Sequence, residues 1–145
     1  MKTKCSSRMK ALLLVLAMVL SLFCVSIGTA HPRFTDVPDS FWASKEIAWA
    51  VDKGVVNGTS ATTFSPNAPC TRGQIVTFLF RASGDEKVAT GTNFADVAAG
   101  SYCADAVAWA VANKVANGFA DGSFRPEATC TRGQAVTFIY RALAE

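Results

Sequence analysis

Histidine is nearly missing from this 145-residue chain: there is one, His31. Ser–His and Cys–His catalytic pairs therefore lack a well-placed base. Phosphate-cradling glycine loops, dinucleotide turns and His/Cys metal clusters are also lacking, so no cofactor and no metal are expected. Acidic residues do not occur before Asp36, whereas Lys2, Lys4, Arg8 and Lys10 all fall in the first ten positions. Beyond them ten basic residues face eleven acidic ones. Without a basic stripe the body has no electrostatic footprint for nucleic acid. Paired carboxylates alone remain as a route to catalysis, but the acids follow a repeat rather than an asymmetric site, and the chain reads as no enzyme.

The basic start precedes an uncharged run, Ala11–Ala30, whose strongly apolar part ends near Val25. Ser26-Ile27-Gly28-Thr29-Ala30 then offers small residues at the −3 and −1 places of a signal-peptidase site. Residues 1–30 read as a secretory signal peptide cleaved before His31. An uncleaved membrane anchor is the competing reading, since about 20 apolar residues span a bilayer; the small polar end argues against it. Cys24 follows Leu22-Phe23, too bulky for a lipid-attachment box. The mature protein is thus expected to be secreted and, after signal cleavage, free of the membrane.

The rest is one pattern written twice. A shift of 60 residues aligns 34–82 with 94–142 without a gap, and 23 of 49 positions are identical. Phe34-x-Asp36-Val37 meets Phe94-x-Asp96-Val97, Ala48-Trp49-Ala50-Val51 meets Ala108-Trp109-Ala110-Val111, and Cys70-Thr71-Arg72-Gly73-Gln74 meets Cys130-Thr131-Arg132-Gly133-Gln134. The expected units are repeat 1 at 31–82, a polar linker at 83–93 and repeat 2 at 94–145.

Each copy reads as two helices around an irregular loop. The first helix is expected to begin near Asp39-Ser40, where a side-chain oxygen can cap free N–H groups, and to end at Gly54. In copy two it is expected over about Tyr102–Lys114. The loops carry Asn57-Gly58 and Asn117-Gly118, with Phe64 and Phe124 as apolar hooks. Thr71-x-x-Gln74 and Thr131-x-x-Gln134 are capping boxes that open the second helices. Ile75, Phe78, Leu79 and Ala82, and Ala135, Phe138, Ile139 and Ala142, then recur at helical spacing. Arg81 and Arg141 suit the negative helix ends. The fold class is all-α: two tandem helix-loop-helix repeats sharing a small bundle core.

The order Phe-x-Asp-Val, Trp-Ala, Asn-Gly, Asp121-Gly122-Ser123-Phe124-x-Pro126 and Thr-Arg resembles the S-layer homology repeat, over both copies. Copy one has the looser Ala61-Thr62-Thr63-Phe64-Ser65-Pro66, and Thr-Arg-Gly-Gln stands where the family usually has Thr-Arg-Ala-Glu. The resemblance implies a noncatalytic module anchoring an exported bacterial protein to acidic or pyruvylated wall polysaccharide, in grooves between repeats that usually number three. It maps the ligand contacts onto Arg72 and Arg132.

Physical chemistry agrees with that assignment: a helix start favours anions, and a guanidinium matches a carboxylate in two bonds. Gly73 and Gly133 allow close approach of a ligand, and Trp49 and Trp109 offer faces on which sugars stack. Asp36 and Asp96 fix a turn and are secondary candidates for the groove. The competing reading makes both arginines loop braces and both tryptophans core. The expected partner is cell-wall polysaccharide. With two repeats where arrays commonly need about three, an open side is also expected to recruit other chains of this type or a second copy. The mature chain has three cysteines, Cys70, Cys103 and Cys130; a Cys103–Cys130 bridge is the expected pairing, with Cys70 free or joining two chains. Thiols at these spacings without histidine make a poor zinc site.

Overall fold

The computed structural model describes residues 34–85, 91 and 93–144; the signal-peptide assignment and His31 lie outside them. Four helices follow in order: α1 Ser44–Asp52, α2 Arg72–Ser83, α3 Ala104–Ala112 and α4 Arg132–Leu143. The described residues contain no strand, and one isolated antiparallel bridge joins Thr71 to Thr129. The described residues are therefore all-α. No described helix is long and apolar enough to cross a membrane.

Both capping boxes form. The Thr71 hydroxyl accepts from the Gln74 N–H at 3.2 Å, and the Gln74 side-chain carbonyl accepts from the Thr71 N–H at 3.0 Å. Thr131 and Gln134 repeat the exchange at 3.3 and 3.1 Å. Four donors that a helix start would leave free are thereby bonded.

The first helices begin later than expected, at Ser44 and Ala104, behind Ala43 and Cys103, whose side chains do not cap. Tight turns replace the cap: the Phe41 N–H reaches the Pro38 carbonyl at 2.8 Å, and the Ser44 N–H that of Phe41 at 3.0 Å. Asp39 and Ser40 therefore belong to the approach to α1. Both helices end in a left-handed residue, Gly54 at φ +69° and Lys114 at +58°. Lys114 carries the Cβ that makes this conformation costly.

Asp36 and Asp96 have a larger structural task than turning into a helix. Asp36 accepts from the N–H groups of Phe64 and Ser65 at 2.9 and 2.7 Å. Asp96 accepts from those of Phe124 and Arg125 at the same distances. Ser65 and Arg125 are both left-handed, at φ +59°. Each carboxylate thus holds a strained loop tip against the start of its own repeat.

The main core draws on both copies. Val76, with Ile75, Leu79 and Phe80 of α2, packs with Val97, Cys103, Val107, Trp109, Val115 and Phe124 of repeat 2. The principal helix pairing is α2 on α3, with a smaller contact between α2 and α4. The two helices of one copy do not make such a pair. Repeat 1 alone has a smaller cluster around Phe34, Ala43 and Ile47, with Phe64 against Phe34. The face of α2 that is most deeply buried centres on Val76 and Thr77, one position off the expected stripe. The shift follows from a partner lying in the other repeat.

Replacing Lys114 by Gly is expected to raise stability by about 0.5–1 kcal/mol, because glycine takes the left-handed conformation without the Cβ penalty. Urea unfolding should show a higher midpoint at unchanged slope.

Candidate functional site

Arg72 and Arg132 occupy equivalent positions in identical pentapeptides and end in different surroundings. Arg72 is buried, 4% exposed. Its Nε donates to the Phe124 carbonyl at 3.0 Å and its Nη2 to that of Asn117 at 3.2 Å. The guanidinium carbon lies 4.8, 4.9 and 5.3 Å from the ring centres of Phe119, Phe124 and Phe138. Repeat 2 thus forms a socket of two carbonyls and three rings around a cation from repeat 1. Burial draws the Arg72 pKa downward; nearby Cys130 opposes this and Arg125 adds to it. Arg132 is exposed at the corresponding helix start.

The glycines diverge in the same way. A Cβ on Gly73 would lie 2.7 Å from the Tyr102 hydroxyl and 3.1 Å from the Pro126 carbonyl. The Gly73 N–H donates to that carbonyl at 2.8 Å, and the Arg72 N–H to Ala128 at 2.9 Å. Gly73 is therefore needed for contact between repeats. Around Gly133 the space is open.

The tryptophans complete the contrast. Trp109 is 3% exposed. Its ring packs against Phe80 at 5.7 Å, and its Nε1 donates to Asp85 at 2.5 Å. No face of it is open to a sugar. Trp49 is 59% exposed. Arg72, Gly73, Trp109 and Asp96 are thus brought together at the repeat junction as structural parts, whereas Arg132, Gly133 and Trp49 face outward. Asp36 serves the loop of repeat 1.

Repeat 1 has the counterpart of the socket, and it is open. A cleft of about 370 Å³ is lined by Asn57, Thr59, Phe64, Phe78, Arg81 and Tyr102, among others. Thr59 stands where repeat 2 has Phe119, so one ring wall is replaced by a hydroxyl. Gln74 and Thr77 add polar groups, and Arg81 supplies a cation. Tyr102 comes from repeat 2; its hydroxyl lies 3.4 Å from that of Thr71 and donates to Glu127 at 3.3 Å. The sequence hinted at this lining only indirectly: Gln74 was legible as a cap, Arg81 as a helix-end charge, and Tyr102 as the start of the first helix of copy two.

The expected Cys103–Cys130 bridge is corrected: all three described cysteines are free thiols. Cys103 is buried in the core of repeat 2, its Sγ 3.8 Å from the Ser101 hydroxyl. Burial raises the pKa of both Cys103 and Cys130. No group of three or more potential metal ligands occurs among the described residues.

The S-layer homology domain model matches residues 33–76 and 93–136, more than half of the chain. The chain belongs to the S-layer homology family. Its relatives include an endoglucanase of Bacillus sp. (strain KSM-635), 31% identical over 98% of this chain and 16% of the relative. A cell surface protein of Thermoanaerobacter kivui is 30% identical over 88% of this chain and 17% of its own length. A surface layer protein of Brevibacillus choshinensis is 30% identical over 89% of this chain and 12% of its own length. The chain therefore spans less than a fifth of the length of each of these three relatives. As an S-layer homology chain it is a secreted protein of the cell wall or surface layer. Its two repeats form a cell-surface anchoring module, which points to a non-catalytic role.

Two outcomes are expected. Arg72→Ala should cost about 2–4 kcal/mol, because it strands the buried Phe124 carbonyl and the part-buried one of Asn117. Arg132→Ala should stay within about 0.5 kcal/mol; paired denaturant titrations check the contrast. Backbone N–H bonds, those to Phe64 and Phe124 foremost, lower the pKa of Asp36 and Asp96. Their stabilisation is complete above the unfolded carboxylate pKa of about 4 and is lost as pH falls through the lower folded value. An Asp36→Asn/Asp96→Asn variant should therefore show a flatter stability profile as pH falls below about 4.

Proposed function

We propose that this module binds an acidic or pyruvylated secondary polysaccharide of the bacterial cell wall through the open cleft of repeat 1. The observation that carries this reading is the composition of the cleft. Hydroxyls of Thr59, Ser65, Thr77 and Tyr102 and amides of Asn57 and Gln74 sit beside Phe64, Phe78 and the Arg81 guanidinium. Hydroxyls and amides match sugar hydroxyls, an aromatic wall suits a sugar's apolar face, and arginine suits its carboxylate. Arg132, beside the open Gly133, is a second cation available to an acidic chain, and Trp49 an exposed stacking surface. In this reading Arg72 acts only by holding the junction that forms one wall.

A second reading rests on a separate observation. On α4, Val136, Ile139, Tyr140 and Leu143 are 65, 43, 69 and 75% exposed. The matching face of α2 is covered by α3. On α1, Trp49 is bare where Trp109 of α3 is covered. One chain thus carries an unused arginine with its apolar helix face, and an unused socket beside an uncovered first helix. A second copy fits there, with its Arg132 directed at the carbonyls of Asn57 and Phe64.

Purified wall polysaccharide separates the readings. Sedimentation with the glycan should weaken at least tenfold in an Arg81→Ala/Arg132→Ala variant, while Trp109-sensitive fluorescence and unfolding midpoint stay unchanged. Unaltered sedimentation refutes the cleft assignment. Light scattering without glycan tests the second reading: mass should rise with concentration and fall back in Arg132→Ala, and a monomer at all concentrations refutes it.

A further inference from the structure

The junction places two cysteines opposite one another. Around the Thr71–Thr129 bridge the chain runs antiparallel, so that Cys70, Thr71 and Arg72 face Cys130, Thr129 and Ala128. The Cys130 N–H donates to the Cys70 carbonyl at 2.9 Å, and the Arg72 N–H to the Ala128 carbonyl at 2.9 Å. Residues directly opposed in such a ladder have Cα atoms about 4.5–5.5 Å apart and side chains on one face. Disulfides need about 4.4–6.8 Å. Cys70 is exposed and Cys130 partly exposed, so an oxidant has access, whereas Cys103 is buried.

We propose that Cys70 and Cys130 are oxidised to a disulfide that fastens repeat 1 to repeat 2. The antiparallel bridge and the Cys130-to-Cys70 hydrogen bond set the two residues opposite one another, and the spacing of such pairs matches what a disulfide needs. The oxidant is a disulfide-bearing molecule, such as oxidised glutathione or an exported thiol oxidase in its disulfide form. The Cys70 thiolate attacks one oxidant sulfur and releases a thiol. The Cys130 thiolate then attacks the Cys70 sulfur of the mixed disulfide and releases the second thiol. One S–S bond breaks and one forms, and two electrons and two protons pass from the cysteine pair to the two released thiols. The export context inferred for this family permits such a bond. The bridge closes a 60-residue separation in sequence, immediately beside Arg72, so it constrains the unfolded chain and holds the guanidinium at its socket.

The full chain, secreted and then equilibrated with oxidised glutathione, is alkylated without reduction and mapped by mass spectrometry. The expected product is a Cys70 peptide joined to a Cys130 peptide, two hydrogens lighter than the separate thiols, with Cys103 alkylated. Cys103→Ser should keep this product and Cys130→Ser should abolish it. The oxidised protein should melt roughly 10 °C or more above the reduced one, and Cys70→Ser should melt with the reduced form. Alkylation of both Cys70 and Cys130, a Cys103–Cys130 product, or Cys70 joined between two chains would each overturn the assignment.

Discussion

A single buried guanidinium sets the relation between the repeats. Arg72 leaves the first repeat at a helix start and ends among two carbonyls and three ring faces of the second. Apolar packing of α2 on α3 joins the two repeats but gives little register, since one aliphatic contact can slide into the next. Two hydrogen bonds to fixed carbonyls do not slide. The neighbouring features serve this seat. Gly73 lets the helix start come against Pro126, Asp96 shapes the loop whose Phe124 carbonyl receives the bond, and Phe124 itself is fully buried. A cation so placed is costly to leave unpaired, and that cost makes a misdocked junction unfavourable.

Much of the architecture was legible because its causes are local. A Thr-x-x-Gln box needs four residues to define a helix start, and both boxes form. The duplication, the aromatic hooks and the family resemblance are also linear patterns. The start of α1 was misplaced because backbone carbonyls, rather than Asp39 or Ser40, satisfy the preceding N–H groups. The site was only half legible, for a more basic reason. Cys-Thr-Arg-Gly-Gln is written identically twice, yet Arg72 is buried and Arg132 exposed. Trp49 and Trp109 share the same tripeptide and differ from 59% to 3% exposure. The fate of Arg72 depends on carbonyls 45 and 52 positions away and that of Trp109 on Phe80 and Asp85 at the end of the other repeat, and no local pattern carries that information.

The unit of sequence and the unit of packing are therefore offset. The sequence repeats as first helix, loop, second helix; the packed pair is the second helix of one copy on the first helix of the next. An array built this way leaves its first helix uncovered at one end and its last helix uncovered at the other. Here those surfaces are α1 with Trp49 and α4 with Val136, Ile139 and Tyr140. The apolar exposure follows from a docking rule applied once within a chain that displays both halves of it again.

The two sockets have also diverged in chemistry. In repeat 2, Phe119 roofs the guanidinium of Arg72 and also stacks on Arg125, which is tied to Asp121 at 2.8 Å. In repeat 1, Thr59 and Ser65 take the places of Phe119 and Arg125, and a network of hydroxyls joins Thr59, Ser60, Thr63 and Ser65. A ring that would close over a cation is exchanged for groups that donate and accept. The first socket, still lined by Asn57 and Phe64, gains a polar, open rim. In the proposed docking, a second chain's arginine would enter this same cleft, which Asn57 and Phe64 line. The proposed glycan binding and the proposed chain docking would both occupy this cleft, so that either would exclude the other.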